Sequence, residues 1–287
     1  MRHSTPRLLP LALLPLSACA APPAAPASEA SAEIAPVPAD PYRWLEDVTA
    51  ERSLEWAREH NTQSQGELAD DAFRALEARL KAQYDSDAKI PAVQKIGAHY
   101  YNLWTDAKNP RGLWRRTTPA EYEKAEPAWE TVLDVDALGK SEAKSWVWHG
   151  ADVLAPEHRL CLVSLSPGGS DADVVREFDL VTKSFVEGGF FLPEAKSSAT
   201  WRDQDHLWIG TDFGPGSMTE SGYPRTARLW QRGTTLDSAP VVFEGQTEDV
   251  WVGISHDSTP GFERDFAARA RRPSSRTRCS CGRTARG

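Results

Sequence analysis

The pattern of apolar runs broken by short polar turns is clearest in the middle of the chain. Leu160-Cys-Leu-Val-Ser-Leu-Ser166 is followed by Pro167-Gly168-Gly169-Ser170-Asp171, then Val174-Val-Arg-Glu-Phe-Asp-Leu180, a polar break at Val181-Thr-Lys183 and a fresh Ser-Phe-Val. Runs of β-branched and aromatic residues around a Gly-Gly turn, whose glycines accept positive φ, predict a meander of three short strands over residues 160–185. Similar units flank it. Tyr100-Tyr-Asn-Leu-Trp-Thr105 and Gly112-Leu-Trp-Arg-Arg-Thr-Thr118 precede it; His206-Leu-Trp-Ile-Gly-Thr211, Ala227-Arg-Leu-Trp-Gln-Arg-Gly233 and Val241-Val-Phe-Glu244 follow. The interval, irregular but of about 45 to 60 residues, is that of a propeller blade rather than a helical repeat. Further strands are expected at residues 130–134 and 145–149.

Before these strands the period is helical. Thr49 is a candidate N-cap for a helix running through Gly66, with Leu54 and Ala57 three apart. Asp70 is placed to cap a second helix, in which Phe73, Leu76 and Leu80 share one face. Pro91 marks the switch to strands, and Trp104 and Trp114 then fall on paired strands of a hairpin whose loop carries Asn109-Pro110 and Gly112. The pattern therefore predicts a mainly β fold: a partial β-propeller of three to four blades preceded by an N-terminal two-helix segment.

The ends of the chain differ from its body. Residues 1–19 read as an export signal: Arg2 and Arg7, a short apolar run over residues 8–16, and Leu16-Ser17-Ala18-Cys19, which has the form of a bacterial lipoprotein box with Cys19 as the lipidated residue. The run is too short to span a bilayer. A plain secretory signal cut near Ala18 or Ala20 is the alternative. Ala20 after the cysteine favours an outer-membrane over an inner-membrane lipoprotein. Residues 20–39, almost all Ala, Pro, Ser and Glu, form a linker that buries nothing and stands a folded body off a surface. The expected location is outside the cytoplasm, periplasmic or on the outer membrane, with the membrane touched through the Cys19 anchor alone.

At the other end, residues 269–287 hold seven Arg and no acid, and nothing after Phe266 is aromatic or aliphatic beyond Ala. Translation of a GC-rich gene in a wrong frame gives such a composition; a genuine basic tail that contacts acidic lipid or nucleic acid is the alternative. Without this tail the net charge of -8 becomes -15, with 26 basic against 41 acidic side chains over residues 1–268. So acidic a body repels phosphate backbones and argues against nucleic acid as a partner. The eleven Trp all lie between Trp44 and Trp251. Large aromatics suit packing between twisted sheets, a platform for stacking sugars or peptides being the other use.

Several motifs in order resemble the prolyl oligopeptidase family of serine peptidases: Asp40-Pro-Tyr-Arg-Trp-Leu-Glu-Asp47 before a helix, Asn109-Pro-Arg-Gly-Leu-Trp-Arg115, Trp129-Glu-Thr-Val-Leu-Asp134 and Gly210-Thr-Asp-Phe-Gly-Pro-Gly-Ser217. The resemblance covers about residues 40–268. It implies an N-terminal helical segment over residues 40–88 and the first blades of a seven-bladed propeller over residues 89–268. In that family a C-terminal α/β-hydrolase domain carries the triad, and this chain is expected to lack it. The implied full enzyme cleaves on the carboxyl side of proline in short peptides through an acyl-enzyme, without cofactors, behind a propeller that limits access. The expected partners are short peptides and the missing hydrolase domain. A stand-alone envelope propeller that binds rather than cleaves is the alternative.

The candidate chemistry is sparse. The family's nucleophile sits in a Gly-x-Ser-x-Gly elbow, and no such pentapeptide occurs here. Ser170, in Gly168-Gly-Ser-Asp-Ala172, is flanked by hairpin strands and reads as a turn residue; Ser217 reads as a loop residue. The seven histidines show no metal-binding spacing, and Cys279-Ser-Cys281 matches neither a zinc nor a redox motif. Cys161 reads as a buried small hydrophobe, so export forces no disulfide. No phosphate cradle or nucleotide fingerprint appears. Catalytic, cofactor-binding and metal residues are therefore all expected to be none, with Cys19 as the one modified position.

Overall fold

The structure, a computed structural model, describes residues 40–90 and 92–271 together with the backbone of a short strand at Gly282–Arg283. The export signal, Cys19, the linker and most of the Arg-rich end lie outside the described residues. The chain divides into two compact units, Met1–Leu68 and Ala69–Gly287.

In the first unit a 3-10 turn at Arg43–Glu46 leads to helix α1, Glu51–Leu68. Trp56 gathers its neighbours, stacking on His60 with ring centroids 3.8 Å apart and meeting Trp44 edge-on at 6.4 Å. The buried Ser53 hydroxyl donates to the Trp44 carbonyl. Thr49 does not cap this helix. Its hydroxyl donates to Asp47, whose carboxylate also accepts the Ala50 N–H, so Asp47 organises the entry.

The second unit opens with α2, Asp71–Asp85, capped as expected: Asp70 Oδ1 accepts the Phe73 N–H at 2.8 Å. Among the described residues four antiparallel sheets follow, each from consecutive strands. Sheet 1 comprises β1 (Gln94–Ile96), β2 (His99–Trp104), β3 (Leu113–Thr117) and β4 (Glu130–Asp134), with the one-turn α3 (Pro119–Tyr122) before β4 and α4 (Val135–Glu142) after it. Sheet 2 comprises β5 (Trp146–Val153), β6 (Leu160–Pro167), β7 (Asp173–Asp179), β8 (Ser184–Phe185) and β9 (Phe191–Ala195), the last two both pairing with β7. Sheet 3 is β10 (Ser198–Asp203), β11 (His206–Gly210), β12 (Thr226–Gln231) and β13 (Val241–Glu244). Sheet 4 is β14 (Asp249–Asp257), β15 (Arg264–Arg271) and β16 (Gly282–Arg283). This is a mainly β, four-bladed part of a propeller, and the meander read from residues 160–185 is β6, β7 and β8.

The strand period explains how sheet 2 sits in the stack. Along β6 and β7, Cys161, Val163, Leu165, Val174 and Phe178 join a cluster with Tyr101, Trp114 and Val132 of sheet 1. Leu162 and Val175, pointing the other way, join Trp201, Leu207, Ile209 and Trp230 of sheet 3. Period-2 alternation with both faces buried yields a nearly continuous apolar run, which is what made this stretch conspicuous in sequence. Gly168 and Gly169 turn the β6–β7 hairpin at φ 78° and 88°, a region open to glycine without strain. In sheet 4, β15 continues through Arg271, pairing Val252 with Arg269 and Asp249 with Arg271. Backbone pairing thus runs a few residues past the change in composition.

Candidate functional site

The serines that most resemble a nucleophile are bonded within their own loops. Ser170 Oγ exchanges hydrogen bonds with the backbone of Ala172. Ser217 Oγ donates to the Gly214 carbonyl at 2.7 Å, accepts the Phe213 N–H at 2.8 Å and lies 3.2 Å from Asp212. Neither reaches an imidazole. Three histidines pair with carboxylates through Nδ1: His149 with Asp173 at 2.6 Å, His206 with Asp203 at 2.8 Å and His256 with Asp265 at 2.8 Å. A His–Asp pair is two parts of a hydrolytic triad, but the chemistry needs a hydroxyl on the far ring nitrogen. Burial holds the Asp173 carboxyl above its usual range against the pull of His149. Cys161 is fully buried, and burial drives its thiol well above the ordinary range, which suppresses thiolate chemistry. No group of three or more His, Cys, Asp or Glu suited to a metal ion occurs among the described residues.

Among the described residues the stack shapes clefts on either side of sheet 2's first strand and hairpin. A cleft of about 310 Å³ lies where β1 and β2 approach β5, walled by Tyr101, Trp114 and Trp148. The two indoles have centroids 4.8 Å apart. A second cleft, of about 580 Å³, is lined by Trp146, Arg176, Phe185 and Phe190. In it Glu142 accepts from both Arg176 Nη1 and Trp146 Nε1 at 2.8 Å, and the Arg176 guanidinium lies 3.5 Å over the Phe185 ring. Such walls can hold an apolar ring or a peptide edge by stacking and a few polar contacts. The carboxylates on the second cleft's wall include Glu142 and Glu177, and both are engaged by arginines.

Charged groups lock the sheets to one another, and these the sequence did not reveal. Arg232, after β12, binds Glu177 of β7 through both terminal nitrogens, while Glu177 also accepts the Phe190 N–H at 2.8 Å. Asp152 of β5 accepts from the Thr200 hydroxyl at 2.8 Å and the Trp201 N–H at 3.3 Å, and its carbonyl takes the Trp201 indole N–H at 3.0 Å. Arg116 of β3 donates to Glu130 at 2.6 Å and to the Leu180 carbonyl at 3.0 Å, and Lys183 closes on Glu130 at 2.9 Å. The available signal was a Glu embedded in Val-Val-Arg-Glu-Phe: an acid facing inward from a buried strand demands a partner. Nothing local says that the partner is Arg232.

Residues 24–261 match the family described as prolyl oligopeptidase, N-terminal β-propeller domain. An uncharacterized peptidase of Sinorhizobium fredii is 39% identical over 220 residues, which is 74% of this chain and 29% of the relative. One of Rickettsia prowazekii is 31% identical over 225 residues, 75% of this chain and 31% of the relative. Among solved structures, a post-proline cleaving enzyme from Rickettsia typhi superposes with a TM-score of 0.74 at 29% identity, covering 79% of this chain and 35% of that one. Oligopeptidase B from Leishmania major, at 15% identity and a TM-score of 0.57 over 84% of this chain and 34% of that one, shares the fold. The chain spans about a third of the length of the relatives it matches.

Proposed function

The chain belongs to the prolyl oligopeptidase family, and from that premise we propose that it forms the N-terminal segment and first propeller blades of an exported serine endopeptidase acting on short peptides at proline. The observation that carries this reading is the stack of four antiparallel sheets in chain order, together with its superposition on a post-proline cleaving enzyme. In this reading the propeller is a gate. Sheets locked by Glu177–Arg232 and Asp152–Trp201 hold a rigid wall, so an extended peptide passes to an enclosed site and a folded protein does not.

The bond-breaking steps belong to a hydrolase part outside these 287 residues. There a serine oxygen attacks the prolyl carbonyl, a histidine takes its proton and returns it to the leaving amine, and backbone N–H groups hold the oxyanion. Water then releases the acyl group. The present residues bind, orient and exclude, and cleave nothing themselves. In this reading the segment up to Cys19 directs export, and the Ala/Pro-rich linker spaces the body from the membrane.

A chimera tests the gate: residues 40–268 replace the matching segment of the Rickettsia typhi enzyme. The expected product cleaves a proline-containing octapeptide and leaves folded protein substrates intact. A folded, active chimera that digests both equally contradicts the proposal.

A further inference from the structure

Arg115 of β3 occupies the face of sheet 1 that points away from sheet 2. Its cross-strand partner is Asn102, whereas Leu103 pairs with Trp114 and Tyr101 with Arg116, and strand alternation sets these two groups on opposite faces. Trp114 lies in the core shared with sheet 2, so Arg115 faces outward from it. There the guanidinium carbon sits 4.2 Å from the ring centroid of Trp104 and 4.2 Å from that of Trp129. Nε donates to Asn102 Oδ1 at 3.0 Å. Two indoles and one hydrogen bond fix the fork, so much of the rotamer freedom an arginine loses on binding is already gone.

The two terminal nitrogens of Arg115 have no hydrogen-bond partner among the described residues. Asp106, the carboxylate whose field it feels, is engaged elsewhere: it accepts the Trp104 indole N–H at 2.8 Å and the Asn109 backbone N–H at 2.8 Å. Burial lowers the Arg115 pKa to about 10, with Asp106 opposing, so the guanidinium stays charged at neutral pH. Lys89 Nζ, 5.2 Å from the Trp104 centroid, adds a second positive charge to this face.

The chain's own sheet junctions show what such a cation meets. Lys183 of sheet 2 meets Glu130 of sheet 1 at 2.9 Å, and Arg232 after β12 meets Glu177 of sheet 2 at 2.8 Å. Arg202 of sheet 3 approaches Asp265 of sheet 4 at 3.7 Å. We propose that Arg115, clamped between Trp104 and Trp129, is a carboxylate receptor, and that the carboxylate is an Asp or Glu side chain on a further sheet laid against the outer face of sheet 1. The inference concerns assembly of the stack and does not depend on the peptidase reading.

Titration of the 287-residue chain with N-acetylglutamate amide, followed by tryptophan fluorescence, tests it. N-acetylglutamine amide is the neutral control and Ala-Pro with a free C-terminus the competing source of a carboxylate. A saturable change with the glutamate analogue alone, weakened at least about tenfold in Arg115→Gln and partly in Arg115→Lys, is expected. No saturable response, or an equal response in Arg115→Gln or with the glutamine analogue, overturns the receptor. Ala-Pro binding at least about tenfold more tightly than the glutamate analogue assigns the site to peptide termini and overturns the side-chain source. Self-association that Arg115→Gln abolishes assigns it to a second copy, also against the proposal. Should Arg115→Gln fail to fold, Lys89→Gln, which leaves the sandwich in place, must weaken the glutamate response about twofold or more; unchanged affinity counts against the site.

Discussion

Arg232 reaches from the end of β12 into the neighbouring sheet and holds Glu177 at 2.8 Å and 3.0 Å, through one terminal nitrogen on each carboxylate oxygen. The Glu177 side chain is 1% exposed, and this fork and the Phe190 N–H are what its carboxylate meets in place of water. Removing one member of a buried pair leaves the other uncompensated, whereas replacing both with apolar residues does not. Arg232→Ala should therefore cost about 3–5 kcal/mol, and the double change Glu177→Leu with Arg232→Leu distinctly less. Urea midpoints of the three proteins give the comparison; an unmoved midpoint in Arg232→Ala means that the pair does not join the sheets.

Glu130 gives a pH dependence of known sign. Hydrogen bonds from Arg116 and then Lys183 hold its pKa at about 2, against an ordinary 4.5. A depressed carboxylate stabilises the fold fully above its unfolded pKa, and that contribution disappears as pH falls from about 4.5 to about 2. The stability gap between the parent chain and Glu130→Gln should close across that window. Because Glu130 is half-exposed, solvent screens the effect, and added salt should shrink it. Melting temperatures from pH 6 to pH 2 supply the test; a gap that stays constant throughout contradicts it.

Trp114 and Phe73 form a matched contrast. Trp114 is 3% exposed and packs among Tyr101, Trp148 and Phe178, at centroid distances of 5.5, 4.8 and 6.2 Å. Trp114→Ala should cost about 3–5 kcal/mol. Phe73, on the apolar face of α2, is 49% exposed, and Leu54 of α1 is comparably open. Phe73→Ala and Leu54→Ala should change stability by less than about 1 kcal/mol. Equal losses for Trp114→Ala and Phe73→Ala, seen in denaturant unfolding, would mean that the helical face is buried within this chain.

What was legible in sequence was local. Gly168-Gly169 between apolar runs located the β6–β7 hairpin because positive φ is a backbone demand that few residues meet. Asp70 located the start of α2 because a carboxylate there satisfies a free N–H. Thr49 misled, since the neighbouring Asp47 takes the backbone donor instead. Trp104 and Trp114 do lie on paired strands, yet the register sets Leu103 opposite Trp114, so the two indoles face opposite sides. Composition likewise marked a break after Phe266, although β15 pairs through Arg271, because ladder hydrogen bonds use the backbone whatever the side chains. Contacts between sheets were illegible for a common reason. Glu177 and Arg232 are 55 positions apart, and only the assembled stack brings them together.

The central proposal is that these residues shape access to a proline-directed peptidase and do not themselves cut the bond. Its most direct test is release of a chromophore from a Gly-Pro reporter by the purified chain, with and without an organophosphate serine reagent. The account predicts no hydrolysis above buffer and no labelling by the reagent. Sustained turnover that the reagent abolishes, with the label on a residue of this chain, would contradict it.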